Sequence, residues 1–254
     1  ALGYRALEDF VADTDGNGHN TAVGSKSQLN ASTGEFNTSL GSLSMGVGVV
    51  TGDNNVAIGI SAGEDLTSGA TNVLVGASAG KEMTTSGGNV AVGYQSLFTE
   101  DTHGTNTALG YRSLKVLNAG AYAYNTVVGY DAGLAMTTAV RNVLIGAISG
   151  DAITTGSDNV SLGYNSLSSS TIGNSNVAIG SFTMGTNVAA DRNVAIGLGS
   201  LQNMTSATTA DTYNTAIGYA AGTAVTTGVQ NTLIGGSAGD ALTTGVGNVA
   251  VGYL

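Results

Sequence analysis

Two histidines, His19 and His103, are the only side chains of this 254-residue chain whose ordinary pKa lies near neutrality, so general acid-base chemistry would fall to them. They lie far apart in the chain, and polar turn residues account for both. The adjacent pairs Glu64-Asp65 and Glu100-Asp101 offer the two carboxylates that glycoside hydrolysis needs, but neighbouring residues of an extended chain point to opposite faces. Asp13, Asp15 and Asn17 alternate ahead of Gly18, as hard oxygen ligands do at the start of a calcium loop. The bidentate Glu expected at the end of such a loop is replaced by Gly24, and an ordinary Asp/Asn/Gly turn is the alternative. The run Gly76-Ala77-Ser78-Ala79-Gly80 has the look of a phosphate loop without the Lys-Ser/Thr or the following helix that would complete one. Catalytic and cofactor-binding residues are therefore not expected, and calcium is the one metal the sequence brings up.

Composition narrows the classes further. Seven Lys and Arg against 17 Asp and Glu give a net charge of −10, the wrong balance for neutralising phosphates, so no nucleic-acid partner is expected. There is no Cys for a disulfide scaffold or thiolate zinc site, and no Pro beside the 40 Gly, which excludes collagen. Gly, Ser, Thr or Asn interrupts every apolar run well short of the ~18 residues of a membrane-spanning helix. With 42% hydrophobic residues the chain is nonetheless too apolar for a solvated coil.

The elements that position everything else come from a repeat. The pentad Asn-(Thr/Val)-x-(aliphatic)-Gly starts at Asn20, Asn37, Asn55, Asn72, Asn89, Asn106, Asn125, Asn142, Asn159, Asn176, Asn193, Asn214, Asn231 and Asn248. The dominant spacing is 17 residues, and longer intervals are insertions. A unit of one short strand, a Gly corner and a segment such as Ala-Gly-x-x-Leu-Thr-Thr-Gly is too short for a strand-helix pair. It predicts an all-β chain, a parallel β-solenoid of about 15 coils running as a single continuous domain over 1–254. Counting each unit from its Asn, position 5 is always Gly and position 8 always small, as at tight corners. The Asn of successive coils should stack as an amide ladder, and the absence of Pro keeps nearly every backbone N–H available to the next coil.

Strand alternation puts positions 2 and 4 on one face and position 3 on the other. Positions 2 and 4 are β-branched or aliphatic throughout and read as the inner core. Position 3 then faces outward, yet it holds Ala57, Leu74, Ala91, Ala108, Val127, Leu144, Ala178, Ala195, Ala216, Leu233 and Ala250 with no charge in any copy. An uncharged outward row predicts a subunit interface between copies of the chain, most simply a side-by-side parallel homotrimer.

The motifs Asn55 to Gly59, Asn176 to Gly180 and Asn214 to Tyr219 resemble the head repeats of YadA-like trimeric autotransporter adhesins, and still more the Asn-Thr-Ala-Ile-Gly-Tyr repeats of phage tail fibres. The resemblance covers essentially the whole chain. It implies a left-handed parallel β-roll, three chains side by side, in an extracellular fibre of a virion or cell surface. The 17-residue unit departs from the autotransporter coil of about 14 residues, which favours the fibre comparison. Both ends fall inside a repeat, so a piece of a longer fibre is expected. The Asn-x-Val-x-Gly pattern is also similar to that of ryegrass-type ice-binding proteins, which makes a monomeric ice- or surface-binding solenoid the alternative; Thr84-Thr85, Thr137-Thr138 and related pairs speak for it, and their absence from about half the coils against.

Insertions ahead of Asn20, Asn125 and Asn214 carry Phe10, Tyr122, Tyr124 and Tyr213. Loops on a rigid array are where recognition of a host surface glycan or protein would reside. The expected function is thus a non-enzymatic structural fibre segment that associates with itself and presents or mediates attachment to a surface.

Overall fold

A computed structural model describes residues 1–10, 18–206 and 210–253. The chain is a parallel β-solenoid, with no helix among the described residues. Contacts group it into two compact units, Ala1–Asn125 and Thr126–Leu254. An array in which each coil touches only its neighbours has no single centre of contacts, and the division falls inside the pentad that begins at Asn125.

The first unit contains β1 (Thr21–Val23), β2 (Thr38–Leu40), β3 (Val56–Ile58), β4 (Val73–Val75), β5 (Val90–Val92) and β6 (Thr107–Leu109), each paired in parallel with the next. The second contains β7 (Thr126–Val128), β8 (Val143–Ile145), β9 (Val160–Leu162), β10 (Val177–Ile179), β12 (Val194–Ile196), β14 (Thr215–Ile217), β15 (Thr232–Ile234) and β16 (Val249–Val251), paired in the same way. Two short strands, β11 (Ala190–Asp191) and β13 (Ala210–Asp211), pair beside it. Within each unit the described strands keep one register: position 3 meets position 3, as Ala57 meets Leu74 and Ala178 meets Ala195.

The register is held by the side chain at position 1. Oδ1 of Asn37 accepts both the backbone N–H of Asn55 at 2.8 Å and its Nδ2 at 3.0 Å, while Asn55 Nδ2 also donates to the Gly69 carbonyl of its own coil at 2.9 Å. The backbone bond of this kind repeats from Asn20 to Asn125 in the first unit and from Asn142 to Asn248 in the second. All but Asn20 and Asn248 are buried, so the ladder satisfies amides that water cannot reach.

Position 5 is Gly for two reasons at once. At Gly76, φ is +138°, a conformation open essentially to Gly alone, and a Cβ there would lie 2.5 Å from the Gly93 carbonyl oxygen of the next coil. Position 8 lies inside the coil, and its hydroxyls bond position-3 carbonyls, as Ser44 Oγ does to Ala57 at 2.8 Å and Ser200 Oγ to Ala216 at 2.9 Å.

The facing of the strands is the reverse of the expected one. Position 3 is the interior: Ala57, Leu74, Ala91, Ala108, Val127, Leu144, Ala178, Ala195, Ala216 and Leu233 are all buried within the coil, and Ala250 is half-buried. These side chains are the core and present no subunit interface. Positions 2 and 4 point outward, with Leu40, Ile58, Val73, Val90, Leu109 and Leu162 among the exposed side chains. The reason is filling: long side chains at positions 9 and 12 take up most of the interior, which leaves room for Ala or Ser at position 3 on most rungs, and the bulkier β-branched residues are accommodated outside.

Interior volume is balanced inside each coil. Position 9 is either a buried long side chain, as Met45, Leu97, Leu114, Leu167, Met184 and Leu201, or a Gly. Wherever it is Gly, position 12 is large (Leu66, Met83, Met136, Ile153, Val225, Leu242), and only in such coils does position 3 grow beyond Ala or Ser, at Leu74, Val127, Leu144 and Leu233. Position 9 is left-handed in both cases, with φ +49° at Leu97 and +57° at Gly80. A branched core side chain in that conformation is uncommon. It is held here because the amide is needed by the adjacent coil, as Leu97 N–H donates to the Ser113 carbonyl at 2.9 Å.

Candidate functional site

The histidines do not form a site. His19 is exposed and stacks on Phe36 with ring centroids 5.0 Å apart, both residues standing just before a ladder Asn. His103 is half-buried; its Nδ1 lies 2.8 Å from Thr102 Oγ1 and its ring meets that of Tyr122 edge-on. Asp13, Asp15 and Asn17 lie outside the described residues. Among the described residues there is no group of three or more His, Cys, Asp and Glu side chains that could hold a metal ion.

Of the adjacent carboxylates, Glu100 and Asp101 splay. Asp101 lies toward solvent and accepts a hydrogen bond from the Thr84 hydroxyl, while Glu100 is turned into the coil with no exposed surface. Burial pushes the Glu100 carboxyl up to about 7, aided by the charge of Asp101 and opposed by the backbone amides of Ala119 and His103. Glu64 lies 3.5 Å from Lys81 Nζ, and partial burial together with the Glu64 charge raises Asp65.

The insertion aromatics differ in their surroundings. Phe10 is half-buried and packs against Gly18, whose added Cβ would lie 2.2 Å from the ring. Tyr122 and Tyr124 are exposed neighbours with centroids 6.3 Å apart. Tyr213 is tied down: its hydroxyl donates to Asp211 Oδ2 at 2.9 Å, and the guanidinium of Arg192, paired with the same carboxylate, lies 5.8 Å from the ring centroid. The Thr pairs are engaged in the scaffold, since the first hydroxyl donates to the next coil, as in Thr137 to the Thr154 carbonyl at 3.1 Å and Thr154 to Thr171 at 3.0 Å.

What remains is a surface. In each unit positions 2 and 4 form two parallel rows of Thr, Val, Leu and Ile, uncharged at every rung. Position 6 flanks them with exposed Tyr94, Tyr111, Tyr130, Tyr164 and Tyr219, and the rings of Tyr94 and Tyr111 stack at 5.3 Å. This surface escaped the reading of the sequence because alternation gives a period without a sign. The signal that carries the sign is the coupling of position 3 to positions 9 and 12, since only residues sharing an interior must trade volume.

Comparison with protein-family models, with curated proteins and with solved structures yields no match to this chain.

Proposed function

We propose that the chain is a non-enzymatic structural segment of an extracellular fibre, a virion tail fibre or surface adhesin, whose copies associate side by side through the strand face formed by positions 2 and 4. The observation that carries this reading is the pair of outward rows of Thr, Val, Leu and Ile, exposed or half-buried, that run through every rung of each unit without a charge. Exposed apolar surface of such regularity is uncommon on a solitary soluble chain. A partner covering it along its length must repeat at the same spacing of about 4.8 Å per rung, and a second copy of this chain does so by construction. Closed association in a parallel arrangement makes the homotrimer the assembly to test first. On such a scaffold the exposed Tyr122 and Tyr124 are the side chains best placed to meet a host glycan or protein.

Solution mass by multi-angle light scattering at several concentrations tests the reading. A mass near three times 25.0 kDa supports it. Ile58→Lys with Val90→Lys should then shift the mass toward the monomer while the far-UV circular dichroism stays unchanged. A stable monomer for the unmodified chain would overturn self-association. Turnover of a polysaccharide substrate would overturn the non-enzymatic assignment.

A further inference from the structure

Glu100 stands at position 12, in a row filled by Met83 on the preceding coil and Leu117 on the following one, both fully buried. It has no exposed surface, and neither carboxylate oxygen has a hydrogen-bond partner of good geometry. Backbone of the 115–124 insertion lies over it. Thr99, one residue before Glu100, donates through its hydroxyl to the Lys115 and Leu117 carbonyls at 3.3 and 3.1 Å, and the Ala123 amide donates to the Gly104 carbonyl at 3.3 Å. Charged and titratable groups on the three coils are Lys81 and Glu82 before it, Tyr94, Asp101 and His103 beside it, and Tyr111, Arg112, Lys115, Tyr122 and Tyr124 after it. Of these only Asp101 exerts an appreciable charge effect on Glu100, and it repels the carboxylate. None of the cations Lys81, Arg112 and Lys115 appreciably stabilises a carboxylate in that position, whereas the neutral acid is a tolerable occupant of an apolar row.

We propose that Glu100 is a proton-operated latch on the 115–124 insertion: as the neutral acid it completes the buried row beneath that insertion, and on releasing its proton to solvent it leaves the row and loosens the segment that carries Tyr122 and Tyr124. The sign follows from linkage. The folded state holds the Glu100 proton more tightly than the unfolded chain does, so the latch is fully closed below the ordinary Glu range and opens as pH rises toward about 7. The latch lies within one chain and stands whether or not copies associate.

The test is carried out on the full chain, labelled at the carboxyl carbons of its five Glu residues. One carboxyl resonance should titrate near neutrality and vanish in both Glu100→Gln and Glu100→Leu, either of which suffices to assign it. Hydrogen exchange over residues 98–124, corrected for the intrinsic pH dependence, should rise roughly tenfold or more between pH 5 and 8 in the unmodified chain and stay level in the variants. A Glu100 resonance that titrates in the ordinary carboxylate range, or exchange that rises equally in a folded variant, would overturn the proposal.

Discussion

Leu74, beside Met83, occupies part of the space that a side chain on Gly80 would need: a Cβ at Gly80 would lie 2.9 Å from Leu74 Cδ2 and 2.5 Å from Met83 Sδ. The two residues belong to one coil and share one volume. Gly80→Ala should cost about 1–3 kcal/mol through overpacking, and Leu74→Ala about 2–5 kcal/mol through the cavity it leaves. The double variant should be less damaged than the sum by roughly 1 kcal/mol or more, read from a denaturation cycle. Additive losses would show that the two positions do not exchange volume.

The amide ladder makes a graded prediction. Asn72→Ala removes the donor to the Ser86 carbonyl at 2.9 Å and the acceptor for the Asn89 amide at 3.0 Å, both buried. Leaving those groups unpaired should cost about 2–4 kcal/mol. The same change at the exposed Asn248 should cost roughly 1 kcal/mol or less, because water replaces the lost partners. Equal losses at the two ends of this comparison would deny the ladder its dependence on burial.

The facing of the strands can be checked with two neighbouring residues. Ala91 is buried and Val92 half-buried and turned outward. Ala91→Leu should destabilise by about 1–3 kcal/mol, whereas Val92→Thr should stay within about 0.5 kcal/mol in thermal unfolding. The reverse ordering would return position 4 to the interior.

Stability should fall as the solution is made less acidic. Burial raises Asp65, Glu100 and Asp151, the last also feeling the Asp131 carboxylate. An acid raised on folding contributes most when both states are protonated, and that contribution is lost as pH climbs through its folded value. Asp158 runs the other way, lowered by its hydrogen bond to Arg141, but that pair is solvent-exposed and weakly coupled to folding. The melting temperature should thus be higher at pH 5 than at pH 7.5, and Glu100→Gln should narrow the gap. A melting temperature that rises with pH would contradict the buried acids.

The repeat, the Asn ladder, the Gly corner and the small position 8 were legible in the sequence because each is a residue type that recurs at a fixed place for a local steric or hydrogen-bonding reason. The sense of the alternation was not. Ordinary strands bury Val and Ile and expose Ala, and the rule inverts where long side chains from positions 9 and 12 already fill the interior, as Leu66 and Leu97 do in the coils of Ala57 and Ala91. Glu100 was legible as one of a splayed pair, but its burial was not, since only the row made by Met83 and Leu117 reveals that position 12 lies inside. The pinning of Tyr213 by Asp211 and Arg192 depends on β11 and β13, two-residue strands too short to announce themselves.

Because each ladder Asn is bonded by the coil that follows it, load applied along the chain is borne by one rung at a time. A coil at the margin has given up one set of these bonds and becomes the weakest link. Drawn out from its ends, such a molecule should therefore pay out coil by coil, each 17-residue coil lengthening the tether by roughly 55–60 Å and the coils with insertions by more. Rewinding can begin on the coil still in place, which supplies the template for its neighbour. The array is in that sense a ratcheting spring, able to absorb a jolt by surrendering a few turns and recovering them.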